Sequence, residues 1–378
     1  MRILDQAVRI AHFSDTHLGY RAYSRVNDSG LNQREVDVFR TFERFLADIQ
    51  SQDPDVVLHT GDFFDKVRPS NHVIIRAFHA LTKMQADRQG KPFVIVAGNH
   101  ESPKTADAGC ILKLFGNIPG LYIADETVKR FVHEDTEFVC VPHPALHEKD
   151  RATTSDAKVS ILAMHGLEGS LKLTADFNVA ELKPDRWDYI ALGDYHTYKE
   201  IGKNAVYCGS TDYTCTNIWE ETGKGNEKRW VMFDSWTGCA IQHFVEPIRQ
   251  VLDLAPVDAS GLSGLEIGER LAAQAVWDEE AQPIVRQKSI NVDPAARAEI
   301  PHQIVREIQS RALVYFHDIQ YARSSDSDLS QVGQGRSLEE DWRDFAEKRD
   351  LPKTVGRTQY VEAGAARLQE VASAPEED

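Results

Sequence analysis

Five short apolar runs in this chain stop at residues whose side chains are oxygen or nitrogen donors, and that repetition constrains the fold more than any other feature. The clearest run is Val56-Val57-Leu58, followed by His59-Thr60-Gly61-Asp62-Phe63-Phe64-Asp65. It reads as a buried strand that ends at a glycine and presents the carboxylate of Asp62. An open α/β sheet carries its chemistry just outside the carboxyl ends of its strands, which is where Asp62 falls. A carboxylate has two oxygens, so one Asp can touch two cations about 3.5–4 Å apart. Taken alone, Gly61-Asp62 is also what an ordinary turn looks like. The other four strand ends supply the partners a bridging Asp needs.

Residues 9–14 run into Asp15-Thr16-His17-Leu18-Gly19. In extended backbone, side chains two apart point the same way, so Asp15 and His17 are expected to converge. A hard oxygen beside an imidazole nitrogen suits Mn²⁺, Fe²⁺ or Zn²⁺. Residues 92–97 end in Gly98-Asn99-His100-Glu101. Asn99 offers a neutral carbonyl oxygen, and His100 can move protons near neutral pH. Ser102-Pro103 is expected to open a further helix. Residues 161–164 lead to His165-Gly166, and residues 188–192 to Gly193-Asp194-Tyr195-His196, which repeats the spacing of Asp15 and His17. At Pro142-His143-Pro144 a turn histidine is the simpler reading. Residues 230–233 and 242–244 are expected to be strands of a second sheet.

Between these strands the apolar period lengthens. Val36, Phe39, Phe42, Phe45, Leu46 and Ile49 predict a core helix over 33–50, and a second helix is expected near 71–87. Lys66 and Arg68 lie in the connecting turn, as candidate phosphate contacts or as plain solvated charges. With 43 Lys and Arg against 59 Asp and Glu, the formal charge is −16. That excludes holding DNA by a general positive field. A phosphodiester substrate stays open, because bound divalent cations reverse the local charge. Five scattered cysteines without zinc-finger spacing point to reduced thiols in a cytoplasmic protein. No apolar run approaches the roughly 18 residues needed to cross a bilayer, so no membrane partner is expected.

The ordered series D-x-H, GD-x-x-D, GNHE, HG and GD-x-H resembles the calcineurin-like metallophosphoesterases. Within them it is most similar to the SbcD-type DNA nuclease subunits, bacterial relatives of the double-strand-break repair nucleases. His17-Leu18-Gly19-Tyr20, the Asp62 to Asp65 box with Arg68-Pro69-Ser70 after it, and Gly98-Asn99-His100 carry the likeness. The resemblance implies an α/β fold of two stacked β-sheets flanked by helices, a four-layer sandwich with a two-metal site at one edge. It implies that Asp15, His17, Asp62 and His196 hold one metal, and Asp62, Asn99, His165 and Asp194 the other. His100 matches the non-ligand histidine that assists cleavage. Two divalent ions are implied, Mn²⁺ first and Mg²⁺ second. Two residues depart from the pattern: Asp194 stands where GHxH is usual, and Glu101 where an aspartate is usual.

Residues 1–250 are thus expected to be the catalytic domain and 251–323 a small α+β capping domain. Residues 324–336, rich in Ser, Asp, Gln and Gly, read as a linker. In 337–378, Leu338, Trp342 and Phe345 share one helical face, and Val361, Ala365, Leu368 and Val371 another, before an acidic tail. Two short amphipathic helices cannot make a core alone. The resemblance implies that residues 337–372 form a helix-loop-helix that clamps the coiled coil of an SbcC-type SMC-like ATPase, and that the chain is a homodimer acting on DNA. The alternatives are a stand-alone phosphoesterase on small diesters or phosphoproteins, and a non-catalytic scaffold for the ATPase.

Overall fold

The structure is a computed structural model that describes residues 7–103, 105, 109–148, 150–153, 157–171, 175–223, 225–322, 342–343, 345–347 and 356–372. The fold is α/β, built on two mixed six-stranded sheets. The first runs Cys239–Phe244, Arg229–Asp234, Arg9–Phe13, Val56–Thr60, Phe93–Val96, Leu121–Ala124. The second runs Lys129–His133, Thr136–Val141, Val159–His165, Tyr189–Gly193, Ala205–Tyr207, Lys199–Ile201. Val56–Thr60 and Val159–His165 are buried along their whole length, as strands covered on both faces must be. Ile10, Val56, Leu58, Val94 and Val96 from one sheet meet Phe138, Ile161, Ala163, Tyr189 and Ala191 from the other in the middle layer.

Two helices cover the outer face of the first sheet. Gln33–Ser51 begins at Asn32, whose side chain accepts from the N–H groups of Arg34 and Glu35 and so satisfies two donors of the first turn. Asn71–Asp87 is capped by Ser70. Phe39, Phe42, Phe45 and Ile49 are buried against Ala11, Val57 and Phe93, as the helical spacing predicts. The outer face of the second sheet is covered by short 3-10 turns carrying Ala145 and Leu182, with Trp187 beside them.

Two expectations need correction. Arg229–Asp234 and Cys239–Phe244 belong to the first sheet, where Arg229–Asp234 pairs antiparallel with Arg9–Phe13. Strand alternation reports which face is buried but not which sheet the strand joins. No helix starts at Ser102-Pro103 among the described residues; the next element is the 3-10 helix Ile111–Asn117.

A third, smaller sheet has Ile284–Val292 at its centre, parallel to Val251–Asp253, Val257–Asp258 and Val314–Tyr321. Ile267, Leu271, Val285, Val292 and Ile308 form its own core. Arg249 ties it to the main body. The guanidinium donates to both Asp37 oxygens at 2.8 and 3.0 Å and to the carbonyls of Ala281 and Gln282 at 2.8 Å. Further on, Trp342 donates to the carbonyl of Val361 at 2.9 Å, and a Cβ at Gly364 would lie 2.2 Å from its ring. Trp342 is therefore committed to the helix Arg357–Ala372, while Phe345 stays 51% exposed. The linker, Leu338 and the acidic tail lie outside the described residues.

His12 is fully buried between the sheets, 2.9 Å from both the Tyr189 hydroxyl and Thr60 Oγ1. Burial pulls its pKa from 6.5 down to about 3. A base with a depressed folded pKa favours the folded state fully above pH 6.5 and progressively less as the pH falls toward 3. In urea titrations at pH 7.5, 6 and 5, His12→Gln is expected to lower stability at neutral pH. It should also lose up to about 1.4 kcal/mol less per pH unit below 6.5 than the parent. Parallel pH profiles for the two proteins would show that His12 is not the titrating group.

Candidate metal centre

At the carboxyl ends of the strands, the Ser14–Ser210 bridge and the His143 N–H, which donates to Ala97 O at 3.0 Å, join the two stacked sheets, and further backbone hydrogen bonds join neighbouring loops within each sheet. Asp15 N–H donates to Gly61 O at 3.0 Å, His17 N–H to Asp62 O at 2.9 Å, and Gly166 N–H to Gly193 O at 3.1 Å. Glycine is required where the approach is closest. A Cβ at Gly193 would lie 1.9 Å from Thr60 O, and one at Gly98 would lie 2.1 Å from Asp62 Oδ1. Asp15, His17 and Asp62 sit at φ of 53°, 45° and 53°, a left-handed conformation that costs energy and clusters at functional sites. Asp15 and His17 therefore converge through a tight loop and not through the extended backbone the spacing suggested.

All seven predicted donors come together in two halves around Asp62. On one side, His17 Nε2 lies 3.7 Å from Asp62 Oδ2 and 3.1 Å from His196 Nε2, and Asp15, His17 and His196 form one donor group. On the other, His165 Nε2 lies 3.4 Å from Asp62 Oδ1, 3.6 Å from Asp194 Oδ1 and 3.0 Å from the Asn99 amide head. Asp15, Asp62 and His165 form a second donor group. Asp194 also donates its backbone N–H to both oxygens of Asp15 at 3.2 Å. Asp194 and His196 thus point into opposite halves, although the D-x-H spacing put them on one side.

This cluster has more lone pairs than hydrogens to share. Asp15, Asp62, His17 and His165 are almost fully buried, and His17 Nδ1 has no hydrogen-bond partner. The Asn99 amide head lies 3.0–3.3 Å from both Asp62 carboxylate oxygens and from His165 Nε2. Burial pushes Asp15 up to about 6, partly offset by His165 and His196. Burial and neighbouring histidines, His196 first, hold His17 well below its ordinary value. At His165 burial acts downward, but Asp62, Asp194 and Asp15 outweigh it and hold the imidazole well above its ordinary value. Buried carboxylates in such density need positive charge among them, which a proton on His165 supplies in part and cations supply fully. The residues fit divalent metal ions.

His100 stands at the rim, its side chain 39% exposed. Its Nδ1 is 2.7 Å from Asp65 O, which leaves Nε2 turned to the centre, 3.9 Å from Asp62 Oδ2. Lys66 and Arg68 line a neighbouring cleft of about 230 Å³ with Arg21, Asp65 and Ser70. His196, Cys215 and Glu221 also have donor spacing, but the buried Lys228 ammonium already sits on Glu221. His143 is half-buried, its ring 6.4 Å from that of His165.

Glu101 has a larger part than the sequence suggested. It is fully buried and accepts from the N–H of Gly98 at 2.8 Å and from that of Phe64. Burial, with Asp62 adding to it, lifts its pKa to about 8. It straps the Asp62 loop to the Asn99 loop. Each buried N–H left without a partner costs about 1–3 kcal/mol. Glu101→Ala is therefore expected to lose about 2–4 kcal/mol in urea unfolding of the metal-free protein. A loss below about 0.5 kcal/mol would mean the loops hold without the strap.

Residues 8–249 match the calcineurin-like phosphoesterase family. The chain is also similar to proteins described as DNA double-strand break repair protein Mre11. It is 32% identical to the one from Sulfurisphaera tokodaii over 58% of this chain and 57% of that protein. It is 30% identical to the one from Methanosarcina acetivorans over 55% of this chain and 34% of that protein. A third, from Methanopyrus kandleri, is 24% identical over 75% of this chain and 63% of that protein. The chain thus matches only about a third to three fifths of these curated relatives' length. The family match covers both large sheets and every donor of the cluster, and on that ground the chain belongs to the calcineurin-like phosphoesterase family.

Proposed function

We propose that this chain is a metal-dependent DNA nuclease, hydrolysing phosphodiesters at duplex ends or internally as the nuclease subunit of a repair complex. One observation carries the reading: the buried Asp62 carboxylate stands between two donor groups, with the His100 imidazole, hydrogen-bonded elsewhere, beside it. The similarity to proteins described as Mre11 supplies the substrate class. Asp15, His17, Asp62 and His196 would hold one ion and Asp62, Asn99, His165 and Asp194 the other. Three carboxylates with three imidazoles make a hard, acidic set that favours Mn²⁺ or Mg²⁺ over Zn²⁺. Bound there, such ions supply Lewis acidity for attack of water on phosphorus and offset charge on the phosphate oxygens.

This chain's own side chains do the rest. The Asp65 carbonyl accepts from Nδ1–H and orients the His100 ring so that Nε2 faces the substrate; as the imidazolium, the ring would hand its Nε2 proton to the leaving oxygen and be left neutral. Lys66 and Arg68, exposed and without an ion pair among the described residues, hold neighbouring phosphates in their cleft. Residues 251–323 act as a cap over the approach to the centre. Phe345, exposed at 51%, offers an apolar contact within residues 337–372 for an SbcC-type coiled coil, and the chain acts as a homodimer.

Purified protein with labelled duplex DNA and with bis-p-nitrophenyl phosphate, each with Mn²⁺ or Mg²⁺, tests the activity. His100→Ala should cut cleavage by about 10²–10⁴-fold while two ions stay bound. Asp62→Ala should lose both ions, and Asp194→Ala only one. Full metal stoichiometry in Asp62→Ala would reduce that residue to a turn position. Turnover of the small diester with inert DNA would favour a stand-alone phosphoesterase.

Deleting residues 337–378 should leave small-diester hydrolysis intact and abolish capture of an SbcC-type coiled coil. Phe345→Ala should weaken capture directly, whereas Trp342→Ala acts by unseating the helix Arg357–Ala372. Undiminished co-purification of the truncated chain would place the ATPase contact elsewhere.

A further inference from the structure

One five-residue 3-10 helix, Ile218–Thr222, touches both the metal centre and the third sheet. Ile218, 6% exposed, is buried in a cluster with Val251, Ile284 and Leu313 of that sheet's unit. The Trp219 ring lies edge-on to Phe316 with centroids 5.7 Å apart, and the Arg286 guanidinium sits 4.6 Å above it. Asp253 holds that guanidinium through two hydrogen bonds of 2.9 and 2.7 Å. These contacts seat the helix against strands of the third sheet.

Two residues further on, the same helix presents Glu221, 2% exposed. Its Oε1 lies 3.4 Å from His196 Nδ1 and accepts from Cys215 N–H at 3.3 Å. Its Oε2 accepts from Ser210 Oγ at 3.1 Å and from the buried Lys228 ammonium, which also donates to Ser210 at 2.7 Å. The carboxylate is thus clamped on one side and free to orient His196 on the other. His196 turns its remaining nitrogen, Nε2, toward His17. A histidine that binds metal through one nitrogen is aimed by whatever accepts from the other. Resting on the metal-centre reading above, we propose that Glu221 is a positioning residue for His196. We further propose that the Ile218–Thr222 helix transmits the placement of the Val251–Tyr321 unit to the metal centre. Movement of that unit would then tighten or loosen one ion more than the other, because no hydrogen bond or ion pair joins the His165 half to this helix among the described residues.

The test is Mn²⁺ titration of the full chain, followed by electron paramagnetic resonance and calorimetry, without DNA. Glu221→Gln should weaken one ion about 10–100-fold and leave the other within about twofold. The double variant Glu221→Gln/Lys228→Met, which leaves no unpaired buried ammonium, should do the same if the single variant folds poorly. Trp219→Ala and Phe316→Ala, neither of which touches His196, should weaken the same ion roughly 2- to 30-fold. The second ion is the internal control, since general loosening of the fold weakens both. Unchanged affinities in the Glu221 variants overturn the positioning role. Weakening by Glu221→Gln with both aromatic variants unchanged overturns the transmission. A parent protein that binds no Mn²⁺ overturns the metal-centre reading itself.

Discussion

The buried carboxylate of Asp62 has to be reconciled with its surroundings before anything else at this sheet edge can be understood. His165 approaches Oδ1 at 3.4 Å and His17 and His100 approach Oδ2 at 3.7 and 3.9 Å, while the backbone N–H of His100 donates to Oδ1 at 3.0 Å. Gly98 packs so closely that no side chain fits there. A single backbone donor does not balance a charge that has lost its water. The left-handed backbone at Asp15, His17 and Asp62, the strap from Glu101 and the glycine contacts all hold donors closer together than they would settle unaided. Ordering of that kind has a use when cations complete the set.

The donors were legible in the sequence because each stands at a strand end, and strand ends are written locally as an apolar run followed by glycine, aspartate or histidine. Their convergence was anticipated for a reason that does not hold, since Asp15 and His17 are not in extended backbone. Glu101, Glu221 and Lys228 gave no comparable signal. A buried charge looks like any other acid or base in sequence, and its meaning comes from a partner folded against it. The same limit explains the strands at 229–234 and 239–244, whose alternation was plain and whose sheet was not. Trp342 shows the same limit from another side. Its helical spacing suggested a face for a partner, but Gly364, 22 positions away, makes room for it within the chain. The one available signal was that small residue opposite a large aromatic.

Charge carries a related lesson. A formal charge of −16 sits badly with a polyanionic substrate, and several cations near the core are already committed. Arg34 is spent on Asp212, Arg88 on the carbonyls of Pro54, Asp55 and Pro92, Lys228 on Glu221, and Arg249 on Asp37. Each answers a buried acceptor, so none adds to an attractive field outside. Arg21, on the same cleft as Lys66 and Arg68, is tied to Glu35.

Lys66 and Arg68 stand exposed on the loop that carries Asp62 and Asp65, where the proposed function needs cations to meet a phosphate, and Lys199 lines a second cleft with Asp194 and His196. Placing Lys66 and Arg68 there makes their position depend on the same short segment that brings the Asp62 carboxylate to the strand end. On the proposed function, a substrate phosphate drawn to Lys66 and Arg68 would be brought beside Asp62 by the covalent geometry of a few residues, without a field from the rest of the molecule. The acidic remainder then opposes nonspecific adhesion of polyanions elsewhere on the surface. Local cations beside the converging donors are what would let an acidic chain act on the phosphodiester proposed for it.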